Sequence, residues 1–177
     1  MPKRVSIPPL LQNRPFLVAT ARDAGLGEGR LRSADLARPF HGIRGASPHP
    51  DLVIARALAY AIRMRSGQFF SHTTAAHLWG APLPLELESA ELLHVSTIAP
   101  MRPPHTRGVR GHELQLSPRD LVTRHGLLTV DAASAWLQLA TTLSVPDLVA
   151  VGDYLVCVPA VLDHHDVRPY LDRKSVV

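Results

Sequence analysis

The sequence predicts an α+β protein, with a small N-terminal winged helix-turn-helix followed by a domain that mixes helices with a sheet. Three observations carry that expectation. Apolar residues recur at helical spacing in Phe16, Leu17, Ala21 and Ala24, and again in Leu52, Ala55, Ala59 and Ile62. The pattern changes to period two in Leu93-His94-Val95-Ser96-Thr97-Ile98 and again in Val109 to Leu116, as half-buried strands require. Glycine and proline fall between these stretches, where helices end and chains turn.

The elements follow in order. Residues 1–14 read as a flexible N-terminus and residues 15–45 as the winged helix-turn-helix. Pro15 opens a first helix, since its missing amide is not needed in the first turn, and Gly25-Leu26-Gly27 breaks it. A second helix runs from about Glu28 to Leu36, with Leu31 and Leu36 inward and Arg30 and Arg32 outward, until Pro39 stops it. Phe40-His41-Gly42-Ile43-Arg44-Gly45 alternates like a small wing strand. The same buried leucines also suit a helical hairpin that merely caps the next domain. The two readings differ in where the arginines point.

Residues 46–50, Ala-Ser-Pro-His-Pro, read as a linker, and residues 51–158 as the α+β domain. Asp51 caps a helix to about Arg65. A shorter helix, about Thr73 to Leu78, begins behind Ser71 or Thr73 and ends at Gly80. The two period-two segments then pair through the basic proline loop 99–108, with Leu121-Val122 and Leu127 to Val130 available to extend the sheet. Asp131 caps a helix through about Leu143, and Ser144-Val145-Pro146-Asp147 opens another through about Val156.

Composition bounds the possibilities. A chain of 177 residues that is 46% hydrophobic has enough apolar material for one core and a small satellite domain. No apolar run reaches the roughly 18 to 20 residues of a membrane span, and the N-terminus lacks the apolar stretch of a secretory signal. A cytoplasmic protein without membrane contact is therefore expected. The single cysteine, Cys157, excludes internal disulfides and multi-cysteine zinc sites; it reads as a small core residue. The net charge of +4 is unevenly spread, with +5 in the first fifty residues and −1 in the rest. A basic first third fits a nucleic-acid-facing element. Arg30 and Arg32 are the candidates for groove or phosphate contacts and Arg38 and Arg44 for flanking phosphates. Arg102, Arg107 and Arg110 form a second basic patch, either an extension of the phosphate track or a solvated hairpin loop stiffened by prolines.

The block Ser71-His72-Thr73-Thr74-Ala75-Ala76-His77-Leu78-Trp79-Gly80-Ala81-Pro82-Leu83-Pro84 is followed by Leu93-His94-Val95, Gly108-Val109-Arg110-Gly111-His112 and, near the end, Ala150-Val151-Gly152-Asp153-Tyr154-Leu155. Over roughly Phe16 to Val156 this pattern resembles the antitoxin of the AbiE type IV toxin–antitoxin systems of high-GC bacteria. The resemblance implies an N-terminal winged helix-turn-helix, a middle antitoxin-like domain and, in longer members, a C-terminal DUF559 domain similar to very-short-patch-repair and restriction endonucleases. It implies a nucleotidyltransferase-type toxin as a possible partner. Of its motif, Ser71, His72, Thr74, Ala75, Trp79, Gly80 and Pro82 are expected to be structural.

Only Lys3 and Lys174 are lysines; the other seventeen basic side chains are arginine, as in a GC-rich genome. The last six residues, 172–177, break that usage and match the translation of a common sequencing adapter. The expectation is a fragment: residues 159–171 begin a linker to a missing C-terminal domain, and the gene continues past Leu171.

No catalytic site assembles from the sequence, and no cofactor or metal is expected. His72 and His77 are five apart, not the four of a metal-binding helix, and no glutamate stands between them. Asp163-His164-His165-Asp166 offers ligand types, but adjacent histidines on an extended chain face opposite ways. His94, His105, His112 and His125 fall on strands and loops among arginines. Neither a nucleophile elbow nor a phosphate loop occurs. The acids and lysine of a restriction-type nuclease cannot be assembled either. The expected function is a DNA-binding, antitoxin-like transcriptional regulator module. The alternatives are the targeting region of a truncated DUF559 endonuclease-like protein and a toxin-binding module that does not contact DNA.

Overall fold

A computed structural model describes residues 6–45, 49–88 and 92–157. The chain divides into two compact units between Met64 and Arg65. The division therefore falls after the helix that follows the expected linker, and residues 46–48 of that linker lie outside the described residues. Among the described residues no helix is long and apolar enough to cross a membrane.

The first unit contains β1 (Phe16–Leu17), α1 (Val18–Asp23), α2 (Glu28–Leu31), β2 (Ile43–Arg44) and α3 (Leu52–Ala61). Leu11, Phe16, Ala21, Leu26, Leu31 and Leu36 make one apolar cluster. The expected flexible N-terminus thus contributes Leu11 to the core, from a 3-10 turn at Pro9–Leu11. Pro15 does not open a helix. Phe16 and Leu17 pair antiparallel with Arg44 and Ile43, so ladder hydrogen bonds and burial of Phe16 override the local helical spacing, and α1 begins only at Val18.

The second helix is also shorter than expected. α2 ends after one turn, where Ser33 N–H closes back on Arg30 O at 3.2 Å and the Ser33 hydroxyl bonds Gly29 O. Glycine and serine are weak helix formers, the serine because its hydroxyl competes for backbone groups. The chain from Arg32 onward turns to place Leu36 in the core instead. α3 forms as its cap predicts, with Asp51 Oδ1 accepting from Val53 N and Ile54 N at 2.7 and 3.0 Å. Its Tyr60 meets Phe40 edge-on at 5.1 Å, and the Arg56 guanidinium covers the same Phe40 ring.

The second unit is a mixed five-stranded sheet with helices. Its elements are β3 (Gln68–Phe70), α4 (His72–Leu78), α5 (Leu85–Glu88), β4 (Leu93–Ile98), β5 (Val109–Leu114), β6 (Leu121–Arg124), β7 (Leu127–Val130), α6 (Ala132–Leu139) and α7 (Val145–Cys157). The strand order is β5-β4-β3-β7-β6. β3 sits at the centre, antiparallel to β4 and parallel to β7. β6 and β7 form a hairpin whose turn residues His125 and Gly126 both take positive φ, as tight hairpin turns require. Asp131 Oδ1 accepts from Ser134 N at 2.6 Å and starts α6. Phe69, Ala76, Trp79, Val130, Leu139 and Val151 fill the core between sheet and helices.

β4 and β5 do not form the hairpin that their spacing suggests. They run parallel, Leu93 opposite Val109 through Ile98 opposite Leu114. The segment 99–108 must therefore return to the start of β4. It passes so close to β5 that a Cβ at Gly111 would run into the Pro104 carbonyl, which is why a residue without a side chain stands there. Cys157, expected in the core, is exposed.

Candidate functional site

Two constellations emerge, one in each unit. In the first, Arg22 on α1, Arg32 and Arg38 after α2 and Arg44 on β2 line a cleft of about 560 Å³ floored by Leu31 and Phe40. Local structure fixes each. Arg44 donates from Nε and Nη1 to Leu31 O and Ile43 O, both at 2.8 Å, and Arg38 donates to Arg32 O. These two side chains thereby cap carbonyls that the one-turn helix leaves open. Arg22 pairs with Glu28 at 2.6 Å and Arg32 approaches the same carboxylate at 3.8 Å. Four guanidinium groups thus share one carboxylate in the lining. The hydrogen bond from Arg22 holds the Glu28 carboxyl below its usual range, helped by the charges of Arg22, Arg32 and Arg44 against some desolvation. Burial, and after it the charge of Arg38, push the Arg44 pKa down, against a smaller opposing effect of Glu28.

Arg30 belongs elsewhere. It forms a two-pronged bond with Asp35, at 2.9 Å to each carboxylate oxygen, and its side chain is only 8% exposed. The outward direction expected of it is not observed, because the turn at 33–36 folds Asp35 back over it. Arg102, Arg107 and Arg110 are exposed in the second unit, on the return segment and β5 rather than on a hairpin loop.

The second constellation is built from His72 at the start of α4, His94 on β4 and His112 on β5. Parity and register explain it. His94 and Ser96 are two apart on β4, and their partners Arg110 and His112 are two apart on β5, so all four share one sheet face. The start of α4 is bound to that face. Ser71 N donates to His94 O at 3.1 Å, His94 N donates to Thr74 Oγ1 at 2.8 Å, and the hydroxyls of Ser71 and Ser96 meet at 2.6 Å. His72 then stacks on His112 with ring centroids 3.9 Å apart. His112 Nε2 lies 3.1 Å from His94 Nδ1, and His72 Nδ1 lies 2.9 Å from Ser71 Oγ.

The backbone of His72 takes φ of +50°, a region costly for a residue with a Cβ. It is held there by its amide, which donates to Gln138 Oε1 on α6 at 2.8 Å. All three rings are depressed in pKa. Burial is the main cause for each, followed for His72 and His94 by the charges of neighbouring rings and Arg110 and for His112 by Arg110, and His72 and His94 are each lowered to about 4. The rings are therefore neutral at physiological pH and carry nitrogen lone pairs.

Reading along the sequence missed this cluster. The spacing of His72 and His77 argues against a shared metal role, and His77 Nε2 turns elsewhere, to Leu87 O at 3.1 Å. The available signal was the shared parity of His94-x-Ser96 and Arg110-x-His112, which becomes a site only once β4 and β5 are known to be parallel. The motif Ser71 to Pro82 otherwise builds the core of the unit. Ala75 and Trp79 are buried, Trp79 Nε1 donates to Val130 O at 3.0 Å under the Arg124 guanidinium, and Gly80 ends α4 at φ +69° while Pro82 is exposed. Asp163 to Asp166 and the suspected adapter-derived segment lie outside the described residues. No protein-family model, curated protein or solved structure matches this chain.

Proposed function

We propose that the chain is a DNA-binding, antitoxin-like transcriptional regulator module whose first unit grips the phosphate backbone through the arginine-lined cleft. The observation that carries this reading is the convergence of Arg22, Arg32, Arg38 and Arg44 on one cleft with a single carboxylate. A phosphate placed among them relieves the repulsion between Arg38 and Arg44 and accepts charge-assisted hydrogen bonds from the outer pair. In this reading β1 and β2 serve as a wing beside α2. A helix of one turn, about 6 Å long at 1.5 Å per residue, reaches few base edges. Backbone contacts therefore supply most of the affinity and sequence discrimination is modest.

The test is binding to a DNA duplex that spans the region upstream of the chain's own gene. Arg22 and Arg32 are the pair to replace, because neither caps a backbone carbonyl. The double change Arg22→Ala and Arg32→Ala is expected to weaken binding at least about tenfold near 0.1 M salt while circular dichroism stays unchanged. Equal affinity of the folded double variant and the parent would overturn the reading.

A further inference from the structure

We propose that His72, His94 and His112 form a site for a divalent late first-row transition-metal ion of the zinc class, with a fourth position left to water or a small anion. Their ligand atoms already lie within 4.8 Å of one another. The donor set decides the class of ion: imidazole nitrogens suit zinc, nickel, cobalt or copper, whereas magnesium and calcium require oxygen. Spacing agrees with the assignment. Two nitrogens bound to a tetrahedral ion at about 2.0–2.1 Å stand about 3.3 Å apart, and His94 Nδ1 and His112 Nε2 are 3.1 Å apart. Without an ion, one N–H bridges that pair. Ligation needs the proton of that bridging ring to move to its other nitrogen, a change of tautomer with no net loss of protons.

His72 lies stacked on His112, so joint ligation requires one of the two rings to turn until the ion lies in both ring planes. The contacts of Ser71 Oγ with His72 Nδ1 and Ser96 Oγ accommodate the tautomer in which His72 Nδ1 carries the hydrogen and Nε2 the lone pair. Such outer hydrogen bonds fix the tautomer of metal-binding histidines. The positive φ of His72, held by Gln138 across the helix layer, adds a second constraint at the same residue. Arg110 is the opposing feature. It sits opposite His94 in the β4–β5 register, and its charge disfavours a bare dication while favouring an anion as the fourth ligand.

The untagged 177-residue chain, titrated with Zn²⁺ against a chromophoric chelator, tests the proposal. One equivalent should bind with an affinity of about micromolar or tighter. His112→Gln and His94→Gln should each weaken it at least about tenfold, and His105→Gln, an exposed histidine of the same unit, should leave it unchanged. Arg110→Gln should tighten binding about twofold to tenfold by removing the facing charge. Co²⁺ supplies a readout that needs no variant: the parent protein should show the intense visible bands of a nitrogen-rich tetrahedral site. Failure of the parent to take up an equivalent of Zn²⁺, a Co²⁺ spectrum no different from the aqueous ion, or binding unaffected by both His112→Gln and His94→Gln each overturns the proposal.

Discussion

The two units concentrate titratable side chains in opposite ways. The first gathers arginines, cations at any accessible pH, around an open cleft. The second gathers histidines that burial keeps neutral against a sheet face. Permanent charge on a surface suits an anion whose hydration is exchanged for several weak contacts. Neutral lone pairs converging from three elements suit a cation that needs directed donors. Geometry reflects the chemistry: the arginines hang from a six-residue helix, turns and a two-residue ladder, whereas the histidines are fixed by strand register and a strained backbone.

That difference is broken most severely through the core. Trp79→Ala removes a side chain that is 1% exposed and hydrogen-bonded to β7, so the second unit should lose about 3–5 kcal/mol. Both tryptophans, Trp79 and Trp136, belong to that unit. Fluorescence of the remaining Trp136 during urea denaturation therefore follows it alone. A denaturation midpoint equal to the parent's would show that the histidine cluster does not rest on a packed core.

Within the first unit, Arg30 and Arg32 separate a structural from a binding arginine. Arg30→Ala removes the two-pronged bond to Asp35 and the buried stem of the arginine and should lower stability by about 1 kcal/mol without changing the salt dependence of DNA binding. Arg32→Ala, at an exposed side chain, should cost less than about 1 kcal/mol of stability yet reduce that salt dependence by about one charge. The reverse assignment of the two effects would contradict the placement of the cleft.

Acid distinguishes the units more gently. The folded pKa of His72 and of His94 is lowered to about 4 by burial, while unfolded histidines titrate near about 6.5. Between those values the unfolded chain binds more protons, so stability of the metal-free second unit should rise with pH and decline as pH falls through that window. Tryptophan-monitored denaturation in the presence of a chelator measures it. A flat stability from pH 7 to 4.5 would mean that the rings are not buried as neutral species.

Much of the fold is legible where the signal is local. Asp51, Asp131 and the turn glycines Gly25 and Gly80 mark helix ends because capping and left-handed backbone act over a few residues. The α+β class follows from the change of period near Leu92. What stays hidden depends on partners distant in sequence. β3 is three residues between Gly67 and Ser71, too short to show a period, and becomes the central strand only through β4 and β7. Phe16 reads as helical until Arg44 pairs with it. The parallel direction of β5 is not written in its own alternation, and the histidine cluster depends on that direction. Arg30 shows the same limit at close range, since only the folded turn reveals Asp35 as its partner.

The central claim, that the first unit binds DNA through a few phosphates in the arginine cleft, is tested most directly by duplex affinity as a function of salt. Three or four neutralised phosphates predict a log–log slope of about −3, so that affinity falls roughly 60-fold between 50 and 200 mM salt. A slope near zero, or no binding to duplex DNA at the lowest salt, would contradict the account.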